Sequence, residues 1–110
     1  AYKLSVFLQK HFTNKKIIYI MGVLKDKEYA KMLQYLLPMA DRVYIFKPNN
    51  ERGLSVDILA NTIKEIADVP VIKEQNVNTA VSDALKGSSS DDILVACGSL
   101  SFMEEMEDIL

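Results

Sequence analysis

The sequence predicts an α/β fold of three layers, in which a mostly parallel sheet with core order 3-2-1-4 carries helices on both faces. Three observations point there. Short apolar runs that are apolar at every position alternate with longer stretches of helical period. The connections between them are short, which favours parallel strands joined by right-handed crossovers. At 110 residues, 49% apolar and 25% charged, the chain suits one domain, residues 1–110, with an ordinary buried core.

The elements follow in order. "YKLSVFLQKHF" places Leu4, Phe7, Leu8 and His11 on one helical face, and Asn14 offers a stop. "KIIYIMG" is a buried strand ending at Gly22. "DKEYAKMLQYLLPMA" returns to helical spacing, with Tyr29, Met32, Leu33, Leu36 and Leu37 inward and Asp26 as N-cap. Pro38 and Asp41 end this helix or distort its last turn. "RVYIFKP" is the second strand, stopped by Pro48, and "NNERG" is loop. Ser55 caps the next helix, whose inner face carries Ile58, Leu59, Ile63 and Ile66. "VPVIKEQ" is a third strand, placed at an edge because Pro70 cannot donate to a ladder. "NTAVSDALKG" is a short helix with Ala80, Val81 and Leu85 inward and Gly87 at its C-terminal end. "ILVAC" is the fourth strand and "SFMEEMEDIL" a closing helix. The result is a doubly wound, Rossmann-like arrangement. Its order leaves the apolar fourth strand at one edge, where another strand or domain would have to cover it.

Composition narrows the function. A net charge of −2 with no basic cluster gives no footprint for nucleic acid. No apolar run approaches a membrane span, and the N-terminus lacks a signal pattern. The single cysteine, Cys97, rules out an internal disulfide framework, and a cytoplasmic location fits. His11 and Cys97 are far apart, and no metal-ligand spacing exists.

In open α/β sheets, ligands bind beyond the carboxyl ends of the strands, at the switch in strand order. Here the switch falls between strands one and four, whose exits are "GVLKDK" and "CGSLS". Gly22 and Gly98 would let a backbone approach a ligand closely. Both loops feed helix N-termini, which favour carboxylate or phosphate. Lys27 adds a full positive charge and Ser99 a hydroxyl, with Asp26 beside them. After strand two, Arg52 is a candidate anion contact with a planar fork of donors. Each of these residues taken alone is more simply an ordinary turn, cap or solvated side chain. Asp91 and Asp92 stand before strand four, on the opposite rim, and read as loop or cap residues. Neither G-x-x-x-x-G-K-[ST] nor G-x-G-x-x-G is present, so a complete nucleotide enzyme is not visible. A receiver-like phosphoacceptor would need an acidic cluster at the strand ends, and "YIMG" has none.

Two long stretches, "IMGVLKDKEYAKMLQYLLPMADRVYIFKPNNERG" and "NVNTAVSDALKGSSSDDILVACGSL", resemble the C-terminal domain of folylpolyglutamate synthase/dihydrofolate synthase, a member of the Mur ligases. The resemblance rests on Gly22 after a strand, Asp26-Lys27 before a helix, Ala40-Asp41, Pro48, Arg52 and the late "GSL". It implies ATP-dependent addition of glutamate to a folate or dihydropteroate carboxylate through an acyl phosphate. In that family the C-terminal domain supplies the amino-acid site and closes over ATP. Lys27 and Ser99 match residues expected to hold the incoming glutamate. ATP and Mg2+ are implied for the whole enzyme and are not expected on this domain alone. The implied partner is an upstream P-loop ATPase domain of the same chain, with no nucleic acid and no membrane. The sequence departs from the family pattern at Glu28, often Asp, and at Gly53, often Ala. An Asp-Gly-Ala-His-Asn-Pro segment normally precedes the first helix, so an excised domain, inactive as a ligase by itself, is the expectation. The alternative is a stand-alone module that binds a small anion without catalysis.

Overall fold

The computed structural model describes residues 10, 15–25, 29–89 and 92–98. Four strands form one sheet: β1 (Ile17–Gly22), β2 (Ala40–Ile45), β3 (Val71–Lys73) and β4 (Ile93–Gly98). Three helices are described: α1 (Tyr29–Leu36), α2 (Val56–Ile66) and α3 (Val77–Lys86). All pairings are parallel and the order is β3-β2-β1-β4, as the alternation of elements predicts. The last predicted helix and all of the first but Lys10 lie outside the described residues, as do His11, the Asp26 cap and Asp91.

β1 is buried over all six residues, and the period of two sends its side chains into two cores. Ile17, Tyr19 and Met21 meet Leu33, Leu36 and Leu37 from the α1 segment and Leu59, Ala60 and Ile63 from α2. Ile18 and Ile20 meet Tyr44, Phe46 and the alanines Ala80 and Ala84 of α3. Thus α1 and α2 cover one face of the sheet and α3 covers the other.

Pro38 ends α1 at Leu36, and the chain tightens into a 3-10 turn over Leu37–Met39. β2 then starts at Ala40, two residues before the predicted strand. Asp41 is therefore not a helix stop. It is the residue skipped where the β1–β2 register shifts, with Ile17 opposite Ala40 and Ile18 opposite Arg42. β3 is a three-residue edge strand that begins just after Pro70, whose carbonyl accepts from the Val43 N–H at 3.0 Å. β4 is the opposite end strand, and Ile93 to Ala96 are half-buried there.

Two predicted inward residues point outward: Ile58 is 51% exposed and Leu85 57%. The cause is the same in both helices. At about 100° per residue, Ile58 lies about 140° from Ile63, and Leu85 the same angle from Ala80. The buried stripes centre on Leu59, Ala60 and Ile63 in α2 and on Ala80 and Ala84 in α3. Alanine lets a helix axis approach the sheet, and the large apolar neighbour is then displaced to the rim.

The helix ends follow local chemistry. Ser55 Oγ accepts from the Ile58 N–H at 3.2 Å, as predicted. Asn76 and Thr79 form a reciprocal capping box, at 2.9 and 3.3 Å, that starts α3. Gly87 ends α3 with φ of −89°, an ordinary value. Its lack of a side chain serves space, because a Cβ would lie 2.9 Å from the Tyr44 hydroxyl.

Candidate functional site at the carboxyl ends of the strands

β1 and β4 are neighbours in direct register, with Gly22 opposite Gly98. The two strand exits singled out in the sequence are therefore adjacent at the sheet's carboxyl edge, where the strand order switches. Lys27, Asp26 and Ser99 lie outside the described residues, so this edge locates only the ends from which their loops depart.

Gly22 has a packing role that the sequence did not reveal. A Cβ there would lie 2.6 Å from both Cε2 and Cζ of Phe46, and Phe46 is 1% exposed. The ring that follows β2 thus occupies the space a side chain would need. The bare Cα of Gly22 permits this close approach on the α3 face.

Beyond β1 and β2 the chain forms a short antiparallel ribbon. Leu24 bridges Gly53, the Lys25 N–H donates to the Arg52 carbonyl at 2.8 Å, and the Leu54 N–H donates to the Val23 carbonyl at 2.9 Å. Val23 and Leu54 are buried in the core beneath α1 and α2, which anchors the ribbon. Arg52 is held further by its own N–H, which donates to Asn50 Oδ1 at 2.8 Å. The Gly53 N–H donates to the Asn50 carbonyl at 2.9 Å, and a Cβ on Gly53 would lie 2.7 Å from the Pro48 carbonyl oxygen. Glycine at this departure from the family pattern is therefore required by the path of the loop. Arg52, distant in sequence from Lys25, is brought alongside it by this backbone hydrogen bond.

An open groove of about 920 Å³ lies between the loop after β2 and the start of α3. Five carboxamides, Asn49, Asn50, Gln75, Asn76 and Asn78, line it over the ring of Phe46. Sequence reading missed this groove, because its walls come from loops that only the β2–β3 pairing brings together.

Charges beside this rim are perturbed in opposite directions. Lys73 donates to Asp57 at 2.7 Å and its hydrogen bond and charge hold the Asp57 carboxyl below its ordinary value. Burial, then the neighbouring Asp83 carboxyl, push Glu74 above its ordinary value. On the opposite rim, Asp92 accepts from the Ser89 N–H at 2.9 Å and closes a turn, consistent with a loop residue. Among the described residues there is no group of three or more His, Cys, Asp or Glu side chains that could hold a metal ion. Among them, too, no helix is long and apolar enough to cross a membrane.

The chain matches a known family: the "Mur ligase, glutamate ligase domain" family matches residues 3–100. The chain belongs to that family. Among curated proteins, this glutamate ligase domain is 28% identical over 94 residues to a probable bifunctional folylpolyglutamate synthase/dihydropteroate synthase of Halobacterium salinarum. It is 28% identical over 91 residues to a dihydrofolate synthase/folylpolyglutamate synthase of Haemophilus influenzae. These alignments cover 86% and 82% of the chain but only 11% and 21% of the relatives. Among solved structures, E. coli FolC in complex with DHPP and ADP superposes with a TM-score of 0.86 at 19% identity, over 98% of this chain and 25% of that one. Mycobacterium tuberculosis folylpolyglutamate synthase complexed with ADP and AMPPCP superposes with a TM-score of 0.80 at 24% identity, over 96% and 26%. At these identities the structural likeness speaks to fold alone, and the fold is the predicted one.

Proposed function

We propose that this glutamate ligase domain works as part of a cytoplasmic, ATP-dependent ligase of the folylpolyglutamate synthase/dihydrofolate synthase type. It supplies the amino-acid site and a closure surface over the nucleotide. The observation that carries this reading is the direct pairing of Gly22 with Gly98, which sets the two anion-favouring loop exits side by side within a family of glutamate ligase domains.

The proposed reaction joins glutamate to a folate or dihydropteroate carboxylate. ATP transfers its γ-phosphoryl group to that carboxylate, the glutamate amine attacks the acyl carbon, and phosphate leaves as the amine loses a proton. The part assigned to this chain is binding and orientation. Lys27 and Ser99 hold a carboxylate of the incoming glutamate, and Arg52 is assigned as a further anion contact. The magnesium ion and the ATP phosphates are assigned to a P-loop domain of the whole enzyme, which accords with the small share of each relative that this chain spans.

The test is ATP- and glutamate-dependent product formation by an enzyme in which this chain follows a P-loop ligase domain. Lys27→Ala and Ser99→Ala are each expected to weaken transition-state binding by on the order of 1.5–3 kcal/mol, roughly 10- to 150-fold in kcat/KM. Normal activity in both variants would sink the site assignment. Glutamate binding without any ATP-dependent product would favour the stand-alone anion module instead.

A further inference from the structure

The groove between the β2 loop and the start of α3 holds polar side chains that the fold itself does not use. Two of its carboxamides are committed. Asn50 Oδ1 accepts from the Arg52 N–H, and Asn76 Oδ1 accepts from the Thr79 N–H. Among the described residues, no hydrogen bond or ion pair engages the side chains of Lys47, Asn49, Glu51, Gln75 or Asn78, and all five are exposed. The uncommitted carboxamides stand on both walls, Asn49 on the β2 loop and Gln75 with Asn78 beside the α3 start. Lys47 and Glu51 add one charge of each sign. A carboxamide offers donors and an acceptor together, so a ligand that satisfies this set must carry both. Phosphate oxygens act as acceptors, Glu51 offsets Lys47, and the capping box already occupies the Thr79 N–H at the α3 start. The groove therefore suits amides, with a carboxylate at the point where Lys47 stands.

The groove also adjoins the candidate site. The Phe46 ring that lines it stands over Gly22, and the Phe46 N–H donates to the Met21 carbonyl at 3.0 Å. A ligase that extends a glutamyl chain must hold the part already built close to the point of addition. Each unit of such a chain carries an amide, with a donor and an acceptor, and a carboxylate. We infer, resting on the ligase class proposed above, that this groove binds a γ-glutamyl unit of the acceptor. Asn49, Gln75 and Asn78 take its amides, Lys47 takes its carboxylate, and Glu51 accepts from an amide N–H. The γ linkage sets successive amides further apart than an α-peptide does, which suits carboxamides on opposite walls. At about 920 Å³ the groove has the size of sites that take drug-sized ligands. Its residues lie at the ends of β2 and β3, so this is a contact with the acceptor and not with the incoming amino acid.

The experiment is a titration of the isotope-labelled full chain, followed by NMR, with N-acetyl-γ-glutamylglutamate and its α-linked isomer. The two peptides carry the same groups and the same charge, so only the linkage separates them. The γ-linked peptide is expected to shift the side-chain amide signals of Asn49, Gln75 and Asn78. It should bind about tenfold more tightly than the α-linked one. The double variant Gln75→Ala/Asn78→Ala should lose about tenfold of that affinity, and Lys47→Gln a similar factor. Lys64→Gln, in the last turn of α2, serves as the control and should change nothing. Equal binding of the two isomers, or binding untouched by the groove variants, would overturn the inference. A γ-linked peptide that shifts the Gly22 amide and leaves the groove signals in place would overturn it too, while the amino-acid site stands. A ligase assay without product, beside retained γ-selectivity in the groove, would instead sink the proposed function and leave the groove's selectivity standing.

Discussion

Gly22→Ala tests the packing at the centre of the proposed site. The added Cβ would sit 2.6 Å from two atoms of the Phe46 ring. Carbon atoms rest at about 3.5–4.0 Å, so the ring must recede by roughly 1 Å. It has little room, since Phe46 is 1% exposed and packs among Ile18, Ile20, Tyr44 and Ala80. Overpacking of this kind costs about 1–3 kcal/mol, offset by up to about 1 kcal/mol from the lower backbone entropy of alanine in the unfolded chain. A net loss of about 1–2 kcal/mol should lower Tm by roughly 5–15 °C in a domain of this size. Urea and thermal unfolding followed by circular dichroism would read the change. The decisive measurement is the double-mutant cycle with Phe46→Leu, which trims the ring. Gly22→Ala should cost clearly less in the Phe46→Leu background. Unchanged stability of Gly22→Ala, or a cycle additive within about 0.5 kcal/mol, would refute the packing argument.

Other expectations are more local. Gly53→Ala should destabilise the chain by about 1–3 kcal/mol, because its Cβ meets the backbone oxygen of Pro48, which cannot rotate away. Matched unfolding curves for parent and variant would contradict this. Asn76→Ala removes the α3 cap and should cost about 1 kcal/mol, whereas Asn76→Asp should retain most of it. The two perturbed carboxyls should tilt the pH profile of stability in opposite ways. Asp57 is held below 3.8 by Lys73, so its contribution is present above that value and disappears as pH falls through the lowered one. Glu74 is raised above 4.5, so its contribution is present below that value and disappears as pH rises through the raised one. Asp57→Asn should therefore flatten the acid limb and Glu74→Gln the limb above it, read as urea midpoints followed from below the ordinary Asp value to above the ordinary Glu value.

Much of the sheet was legible because burial on both faces leaves a mark that only buried parallel strands share. "KIIYIMG" became β1 almost residue for residue, and Pro70 pointed correctly to an edge. The helical faces are less legible, because the size of an apolar side chain does not decide its burial. Ile58 and Leu85 are large and exposed, whereas Ala60 and Ala84 are small and carry the contact. Hydrophobic period identifies a stripe, but which part of it meets the sheet depends on how closely the axis approaches, and that is decided by partners on other elements.

The site divides along the same line. Sequence alone determined the strand exits, the residue types that favour an anion, and membership in a ligase pattern, since each is a matter of local chemistry and order along the chain. It could not show that Gly22 faces Gly98, that Phe46 fills the space over Gly22, or that Arg52 lies against Lys25. Those relations exist only after β2, β1 and β4 pair, because register, not sequence distance, sets which side chains share an edge.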